Sequence, residues 1–545
     1  MFKRLKTFFK DRRRTRVFGL LCFIVLYISA QSAITQTPQT PAPTTPQAQK
    51  KKVQLIRSVS LDKRTGSDIQ ILIDSVILFH DGAYMYCDSA YLNDKTNSFE
   101  AFSNIMVNQG DTLFMYGDYL RYDGNTKLLR VRENVRLENK DVTLFTDSLD
   151  YDRVLNMGYY FDGGMLVDSL NELTSYWGQY EPNIRIATFS DSVKLVNDRF
   201  ILYSDTLKYS TETRIATILG PSTIVSDSGT IYSTRGWYNT QTEESMLFDR
   251  SKVVSKDGSR ILIGDSISYN KLKGFGEVFG NMFLEDTLKK VILRGHYGYY
   301  DEINQYAMAT DSAWCIEYSQ GDSLYLHADT LKMITVDSIY REIKAYHGVR
   351  FYRTDVQGVC DSMQFNTRDS VLYLYKEPVL WNEGQQLYGD TIEIFMNDST
   401  VDWVHMEQYC FAIEQKDSLH FNQVKGRDLK AYFTDGQIRY VLVTGNAESI
   451  YYTEEKDGSK IGLNKTESSY LSMDLKDRKI EKLKLWPKAV GTMTPMIELT
   501  SEKMKLPDFQ WFDYLRPLDK DDIFRNVKKK EGAVRKTSNK FIEED

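Results

Sequence analysis

The sequence predicts an all-β protein in which stacked two-strand repeats form one elongated body. A short phrase returns every thirty residues or so, about a dozen times in total, between residues 74 and 487. Aromatic residues make up 13% of the 545 residues, with 36 Tyr and 27 Phe, whereas Pro is scarce at 11. Aromatic side chains favour pleated, half-buried strands. A fixed period of this length indicates an array whose units bury their apolar faces against their neighbours.

The recurring phrase is a small residue, Asp, Ser or Thr, an apolar residue, any residue, and then an aromatic or apolar residue. Its clearest copies contain Asp88, Asp147, Asp205, Asp265, Asp329, Asp361 and Asp390. In the copy at residues 144–151, apolar and polar side chains alternate, and this period of two predicts a strand. Residues 157–167 predict a second strand, so one unit consists of two strands and two connections.

The repeated Asp predicts a corner in each unit. Asp147 has the same parity as Leu149 and Tyr151, so in a straight strand its carboxylate would point into the core. Burying a lone carboxylate is costly. A bend at Asp147, where its oxygens accept backbone N–H groups, avoids that cost. A row of such corners turns the strands from one sheet into a second, facing sheet around an apolar trough.

A second phrase alternates with the first and also predicts a bend. It is an apolar stretch, a polar or Gly break and another apolar stretch, as in residues 131–137, 274–284 and 345–351. Gly or Asn in the middle of a strand is typical of a bulge or a sharp turn. The end rungs of such a stack are open edges, which need a cover or a partner.

The two ends of the chain differ from the repeats. Residues 1–33 combine a basic leader, the apolar run 17–30 and small residues, which predicts a signal peptide, with an uncleaved membrane anchor as the alternative. Residues 34–52 form a Thr/Gln/Pro-rich linker. Residues 53–500 hold the repeats, as one array or as two or three stacked subdomains. Residues 501–545 predict a tail that caps the array or docks a partner, with a disordered end.

Composition and motifs argue against an enzyme, a metalloprotein and a nucleic-acid binder. The formal net charge of −6 leaves no basic surplus. The four cysteines after the leader, Cys87, Cys315, Cys360 and Cys410, form no Cys-x-x-Cys pair. The six His lack metal-binding spacing, and no nucleophile or phosphate-binding motif occurs. We therefore expect no catalytic residue, no cofactor and no metal.

The alternation of Asp-Ser/Thr-Leu-x-Tyr with apolar-x-Gly-Asn-Val-x-Leu resembles the OstA-like family of lipopolysaccharide-transport proteins, over about residues 74–496. The resemblance implies a β-jellyroll or β-taco that carries lipopolysaccharide acyl chains in an apolar groove across the periplasm. It also implies that the protein stacks on other OstA-like subunits through its edge strands. The inner- and outer-membrane transport complexes are further implied partners. The chain departs from the pattern in its length and in its distinctive tail.

By parity and by this resemblance, six inward apolar residues are predicted to line the groove, with plain core packing as the alternative. They are Leu149, Leu207, Ile267, Leu331, Met363 and Ile392. The rival function is an exported β-solenoid, either an adhesin or a carbohydrate-binding protein, whose ligand lies on outward Tyr and Asp side chains. A β-helix polysaccharide lyase is the third, least favoured alternative, because no acid–base pair stands out.

Overall fold

The computed structural model describes residues 51–530, apart from 302, 320, 337–339, 398–399, 456 and 477–478. The predicted signal peptide and nearly all of the predicted linker lie outside this range. All the strands belong to one unit, Lys52–Asp545. The described residues form strands and three short 3₁₀ helices, Met496–Glu498, Asp513–Leu515 and Asp522–Phe524. The all-β prediction is confirmed.

The strands are numbered in chain order, and most of the long ones have 11 to 13 residues. The first group is β1 (Gln54–Arg57), β2 (Ser60–Lys63), β3 (Ile69–His80), β4 (Ala83–Asn93), β5 (Ser98–Gln109), β6 (Leu113–Asp123), β7 (Leu128–Asn139), β8 (Val142–Asp152), β9 (Met157–Tyr160), β10 (Gly164–Val167), β11 (Asn171–Ser175), β12 (Trp177–Glu181), β13 (Ile186–Asn197) and β14 (Phe200–Ser210). The second group is β15 (Ile215–Ile218), β16 (Ser222–Ser226), β17 (Gly229–Ser233), β18 (Arg235–Asn239), β19 (Glu244–Phe248), β20 (Lys252–Ser255), β21 (Arg260–Ile263) and β22 (Ser266–Asn270).

The third group begins where the strands become long again. It is β23 (Phe275–Asp286), β24 (Val291–Asp301), β25 (Tyr306–Glu317), β26 (Leu324–Val336), β27 (Tyr340–Tyr352), β28 (Gln357–Asn366), β29 (Val371–Tyr375), β30 (Val379–Asn382), β31 (Gln385–Asn397), β32 (Thr400–Gln415), β33 (Phe421–Gly426), β34 (Asp428–Thr434), β35 (Gln437–Glu454), β36 (Lys460–Lys476), β37 (Lys479–Trp486) and β38 (Val490–Pro495).

Each long strand pairs antiparallel with the next one along the chain, so the rungs are added in sequence order. Where a strand is interrupted at the corner, two short strands share one long partner. Thus β9 and β10 both pair with β8, and β33 and β34 both pair with β32. Every rung therefore contributes one segment to each of two sheets, as the predicted jellyroll requires.

The corners are breaks in strand register. In β3 the ladder shifts between Ile73 and Val76, and the two residues between them, Asp74 and Ser75, have left-handed φ angles of 64° and 51°. In β7 the residues in the corresponding break are Glu133 and Asn134, with φ of 63° and 53°. Short polar side chains tolerate this conformation best. The bend predicted for residues 131–137 is confirmed.

Residues 496–530, called the strap below, cross the outer face of one sheet. Gln423 in β33 binds the backbone of Met504 and Leu506, and Gln386 in β31 binds the backbone of Gln510 and Phe512, at 2.7–2.8 Å. The strap then continues back along the array. Arg350 in β27 donates to the carbonyl of Leu515 at 3.0 Å, and Phe524 packs on Trp314 of β25. The tail, predicted to cap the array or dock a partner, thus makes its described contacts along β25 to β36.

Replacing Phe512 with alanine is expected to lower the free energy of unfolding by about 3–5 kcal/mol. Its ring is buried in a cluster with Tyr388, Phe411 and Leu515 on the outer face. Urea denaturation of the purified protein measures the change. Leu518→Ala is the matched control in the same strap, because that side chain is 67% exposed, and it should cost less than about 0.5 kcal/mol. Equal costs would contradict a packed strap.

Candidate functional site

The six predicted groove residues lie next to the corner on the inner faces of the rungs. Leu149 pairs with Val131 and so continues an inward line that begins at Leu72. The other five, Leu207, Ile267, Leu331, Met363 and Ile392, fall on one unbroken line of cross-strand neighbours that ends at Leu485. We call this line the corner column. All six residues are buried in the main core cluster, with at most 8% exposure.

A second column of inward residues lies on the same sheet, two positions farther from the corner than the first line. In the first rungs it consists of Leu92, Phe99, Tyr122, Leu129 and Tyr151. All five are at most 3% exposed. Large side chains from both sheets fill the space between the walls here, so these rungs have a dense core of the ordinary kind.

The same column opens in the middle rungs. From β22 onward it runs through Tyr269, Gly276, Tyr300, Ala307, Met333, Ile343, Phe365 and Leu372. Every one of these residues is at least partly exposed, and Tyr300 is 43% exposed. The facing sheet has a matching line of partly exposed cross-strand neighbours, formed by Leu262, Leu284, Leu293 and Cys315. The line from Tyr269 to Leu372 and this line on the facing sheet are together called the open trough.

Several inward positions of the trough carry small side chains. In β23 to β25 these are Gly276, Gly298, Ala307 and Ala309. Small residues also alternate with Tyr along the same column in the closed rungs, at Gly158, Ala187 and Ala216, so side-chain size alone does not open the trough. In the corner column Met282 lies directly against Gly298, and a Cβ atom on Gly298 would stand 2.1 Å from the Met282 sulfur.

Cys315 lies on the facing wall of the open trough. Burial raises the pKa of its thiol to about 12. The side chain is partly exposed, as is its cross-strand neighbour Leu293, whereas Cys87, Cys360 and Cys410 are buried. All four thiols are free.

The structure places the seven predicted corner Asp residues at or beside the breaks in the rungs. Asp88, for example, lies in the break between Tyr86 and Ser89. Its carboxylate accepts a hydrogen bond from the amide of Asn104 at 2.7 Å, and Asp265 accepts one from Asn281 at 2.6 Å. The donors were predicted to be backbone N–H groups. Instead they are Asn side chains, because the left-handed corner of the adjacent strand brings its Asn amide opposite the Asp.

The remaining corner carboxylates have different partners. Asp205 accepts from the Thr206 hydroxyl at 3.1 Å, and Asp361 accepts from Ser362 and faces Lys376 at 3.1 Å. Asp147, Asp329 and Asp390 occupy the equivalent position of the phrase in β8, β26 and β31. All seven carboxylates are at least partly exposed, and none belongs to the residues of the open trough.

Sequence reasoning missed the open positions Ala307, Met333 and Ile343. It selected the apolar residue directly after each Asp-Ser/Thr pair, which is the best-packed position of the unit. Small residues at inward positions, such as Gly276 and Ala307, give no signal for the opening, because Ala187 and Ala216 occupy the same column in closed rungs. What the sequence does not contain is the distance between the two walls.

A polar cleft of about 400 Å³ lies outside the trough, against β14, β16, β17 and β20. Its lining combines Tyr203 and Tyr232, each 46% exposed, with Ser and Thr hydroxyls and the charged Asp249, Arg250 and Lys252. Arg250 faces Asp265 at 3.0 Å, so part of this charge is already balanced. The cleft thus presents aromatic rings, hydroxyl groups and charged side chains at the surface.

Comparison with known proteins gives one match to a sequence family. Residues 50–205 match the family described as OstA-like protein. No curated protein matches the chain. Among solved structures, the chain is similar to LptH from Pseudomonas aeruginosa, described as the LptA-homologous periplasmic component of the lipopolysaccharide transport device. The identity is 12%, over 26% of this chain and 95% of that chain, with a TM-score of 0.20. The family match falls on the first rungs, β1 to β14.

No helix in the described part of the chain is long and apolar enough to cross a membrane.

Proposed function

We propose that this chain, whose residues 50–205 match the OstA-like family, is a non-enzymatic carrier that holds the acyl chains of lipopolysaccharide in the open trough. The observation that carries the proposal is the partly exposed inner face of β21 to β29. It is apolar on both walls and is continuous across rungs. Core packing alone would bury these side chains, as it does in β4 to β8.

The energetics suit a hydrocarbon ligand. Each CH₂ group moved from water into an apolar site contributes roughly 0.8 kcal/mol. Side chains such as Met333 and Ile343 offer such a surface, and Met adapts its shape to irregular partners. The trough contacts are non-directional, so an acyl chain can slide from rung to rung without breaking hydrogen bonds. The sugar head of the lipid remains in water at the mouth of the trough.

Neighbouring subunits are the proposed partners at the two ends of the array. Within the described residues, β1 and β2 pair only with β3, and β37 and β38 pair only with β36. The outer backbone edges of these end rungs are therefore open to strand addition. In β38, Val490 and Met493 are 63% and 48% exposed. Another OstA-like subunit, or the transport complex of either membrane, would extend the trough by pairing there.

Export is part of the proposal and rests on the sequence. The basic leader and apolar run of residues 1–33 direct the chain to the periplasm, either cleaved or held as an inner-membrane anchor. The linker of residues 34–52 then spaces the array from the membrane. The energy for transport comes from partner proteins, because neither the sequence nor the described residues offer a nucleotide-binding motif.

Photo-crosslinking in cells tests the proposal. A photoreactive amino acid at Met333 or Ile343 is expected to give a lipopolysaccharide adduct, detected as an endotoxin-positive band of higher mass. The matched controls are Lys332 and Lys344. Lys332 directly precedes Met333 in β26 and Lys344 directly follows Ile343 in β27, so both point to the opposite face of the sheet. We expect at least ten times more adduct from the inward positions. Adducts of equal yield from both faces, or from neither, would refute the proposal.

A carbohydrate-binding protein is the second candidate, and the polar cleft favours it. Tyr203 and Tyr232 present exposed rings beside hydroxyl groups, an arrangement that can bind a sugar on the outer face. Under this alternative Tyr203→Ala abolishes ligand binding and changes in the trough have no effect. The crosslinking pattern described above separates the two candidates.

A further inference from the structure

A buried histidine on the outer face of β32 stands among three carboxylates from three adjacent rungs. His405 alternates with Val404 and Met406, which point into the core, so its ring lies on the opposite face. Glu393 of β31 is its direct cross-strand partner, and Glu407 follows two positions later on the same face of β32. Asp428 begins β34, on the other side of the histidine.

The distances define two different sides of the imidazole ring. Nε2 lies 2.7 Å from Asp428 Oδ2. Nδ1 lies 3.0 Å from Glu393 Oε2 and 3.8 Å from Glu407 Oε1. The His405 side chain is only 10% exposed, whereas Glu407 is 52% exposed. The ring is therefore fixed by its surroundings, and solvent reaches the cluster along Glu407.

The imidazole ring has hydrogen-bond acceptors on both sides. Carboxylates only accept, and a neutral imidazole carries one N–H, so it can donate to Asp428 or to Glu393 but not to both. When Nε2–H donates to Asp428, the Nδ1 lone pair faces Glu393 and Glu407. Only a cation at this point, a second proton on the ring or a metal ion, makes the arrangement favourable.

The three carboxylates have no other ion-pair partner among the described residues. All ion pairs found for Glu393, Glu407 and Asp428 there go to His405. Lys430, the direct cross-strand partner of His405, lies over the Trp403 ring at 5.7 Å and forms no ion pair with them within 4.0 Å. Three carboxylates therefore converge on one imidazole ring.

We propose that Nδ1 of His405 and one carboxylate oxygen each from Glu393 and Glu407 bind a divalent transition metal ion, with Zn²⁺ the best fit. The three ligand atoms already lie within 4.8 Å of one another. Tetrahedral Zn²⁺ with bonds of about 2.0–2.1 Å needs ligand atoms about 3.3 Å apart, so small side-chain rotations suffice. Asp428 orients the ring from behind, as carboxylates do behind metal-bound histidines. The ion ties β31 to β32, and through Asp428 to β34.

Zinc titration of the full-length protein, after dialysis against EDTA, tests the site. We expect one Zn²⁺ per chain by calorimetry, and a Co²⁺ derivative with the visible absorption of a tetrahedral site. Glu407→Gln should weaken binding at least tenfold, and because Glu407 is half exposed this variant keeps the fold. Asp428→Asn should weaken binding roughly 10- to 100-fold, through loss of ring orientation alone.

The matched control is His420→Gln. That histidine also contacts a carboxylate, Asp417, at 2.8 Å, and no second one is found among the described residues, so its loss should leave Zn²⁺ affinity unchanged. No Zn²⁺ uptake by the wild-type protein would overturn the proposal and leave a protonated histidine as the bridge. Uptake that Glu407→Gln does not weaken, or that His420→Gln abolishes, would overturn it as well.

Discussion

Ala307→Trp is expected to reduce the lipopolysaccharide bound by the protein at least tenfold, which corresponds to about 1.4 kcal/mol of binding free energy. Ala307 lies in the open trough between Tyr300 and Met333, its partners on the two adjacent rungs. An indole at this position projects into the space between the two walls of the trough. The lipid then loses its apolar contacts, while the array itself is unchanged. Endotoxin content of the purified protein measures the effect.

The control for this variant is Met308→Trp. Met308 is the next residue in β25 and points to the outer face, so the same added volume lies outside the trough. It should leave lipid binding within a factor of two of the wild type. Ala307→Trp is also expected to keep the midpoint of thermal unfolding within a few degrees, since Ala307 is only partly buried. Undiminished lipid binding in Ala307→Trp would show that the trough is not the binding site.

Asp168→Ala is expected to lower the free energy of unfolding by about 3–5 kcal/mol. The Asp168 side chain is fully buried and pairs with Arg214, which is 12% exposed. Its oxygens accept the backbone N–H groups of Leu170 and Asn171 at 2.8–2.9 Å and the Tyr209 hydroxyl at 2.6 Å. Burial raises the pKa of Tyr209, so this hydroxyl remains a donor at any physiological pH. Removing the carboxylate leaves a buried guanidinium and several donors without their acceptor.

Asp141→Ala is the control, because Asp141 contacts the same Arg214 at 2.8 Å, and also Arg185, from a 44% exposed position. Solvent at this carboxylate screens both ion pairs, so each contributes about 0–1 kcal/mol. Urea denaturation of both variants should therefore separate them by at least about 1 kcal/mol. If both lose the same amount, the network around Asp168 is not what holds β10 and β11 to β14 and β15.

The repeated phrases determined the rung, its corner and its inward residues. A strand has a period of two, so parity alone assigned Leu149, Leu207 and Ile392 to the inside, and the structure buries all three. The cost of burying a carboxylate predicted a corner at each repeated Asp. These are local properties, because each depends on residues that are neighbours in the chain or in the adjacent rung.

Only the tertiary structure decided three features: the open trough between the sheets, the path of the strap over the outer face, and the cluster around His405. Whether an inward residue is sealed in or open depends on the side chains of the facing wall, so Ala307 and Cys315 line a trough while Phe99 and Tyr122 close a core. The strap crosses the rungs in reverse order, and its anchors, Gln386 and Gln423, are far from it in sequence. His405 meets Asp428 and Glu393 only through strand pairing. Parity fixes the direction of a side chain, but the distance to the opposite wall is set only when all the rungs are assembled.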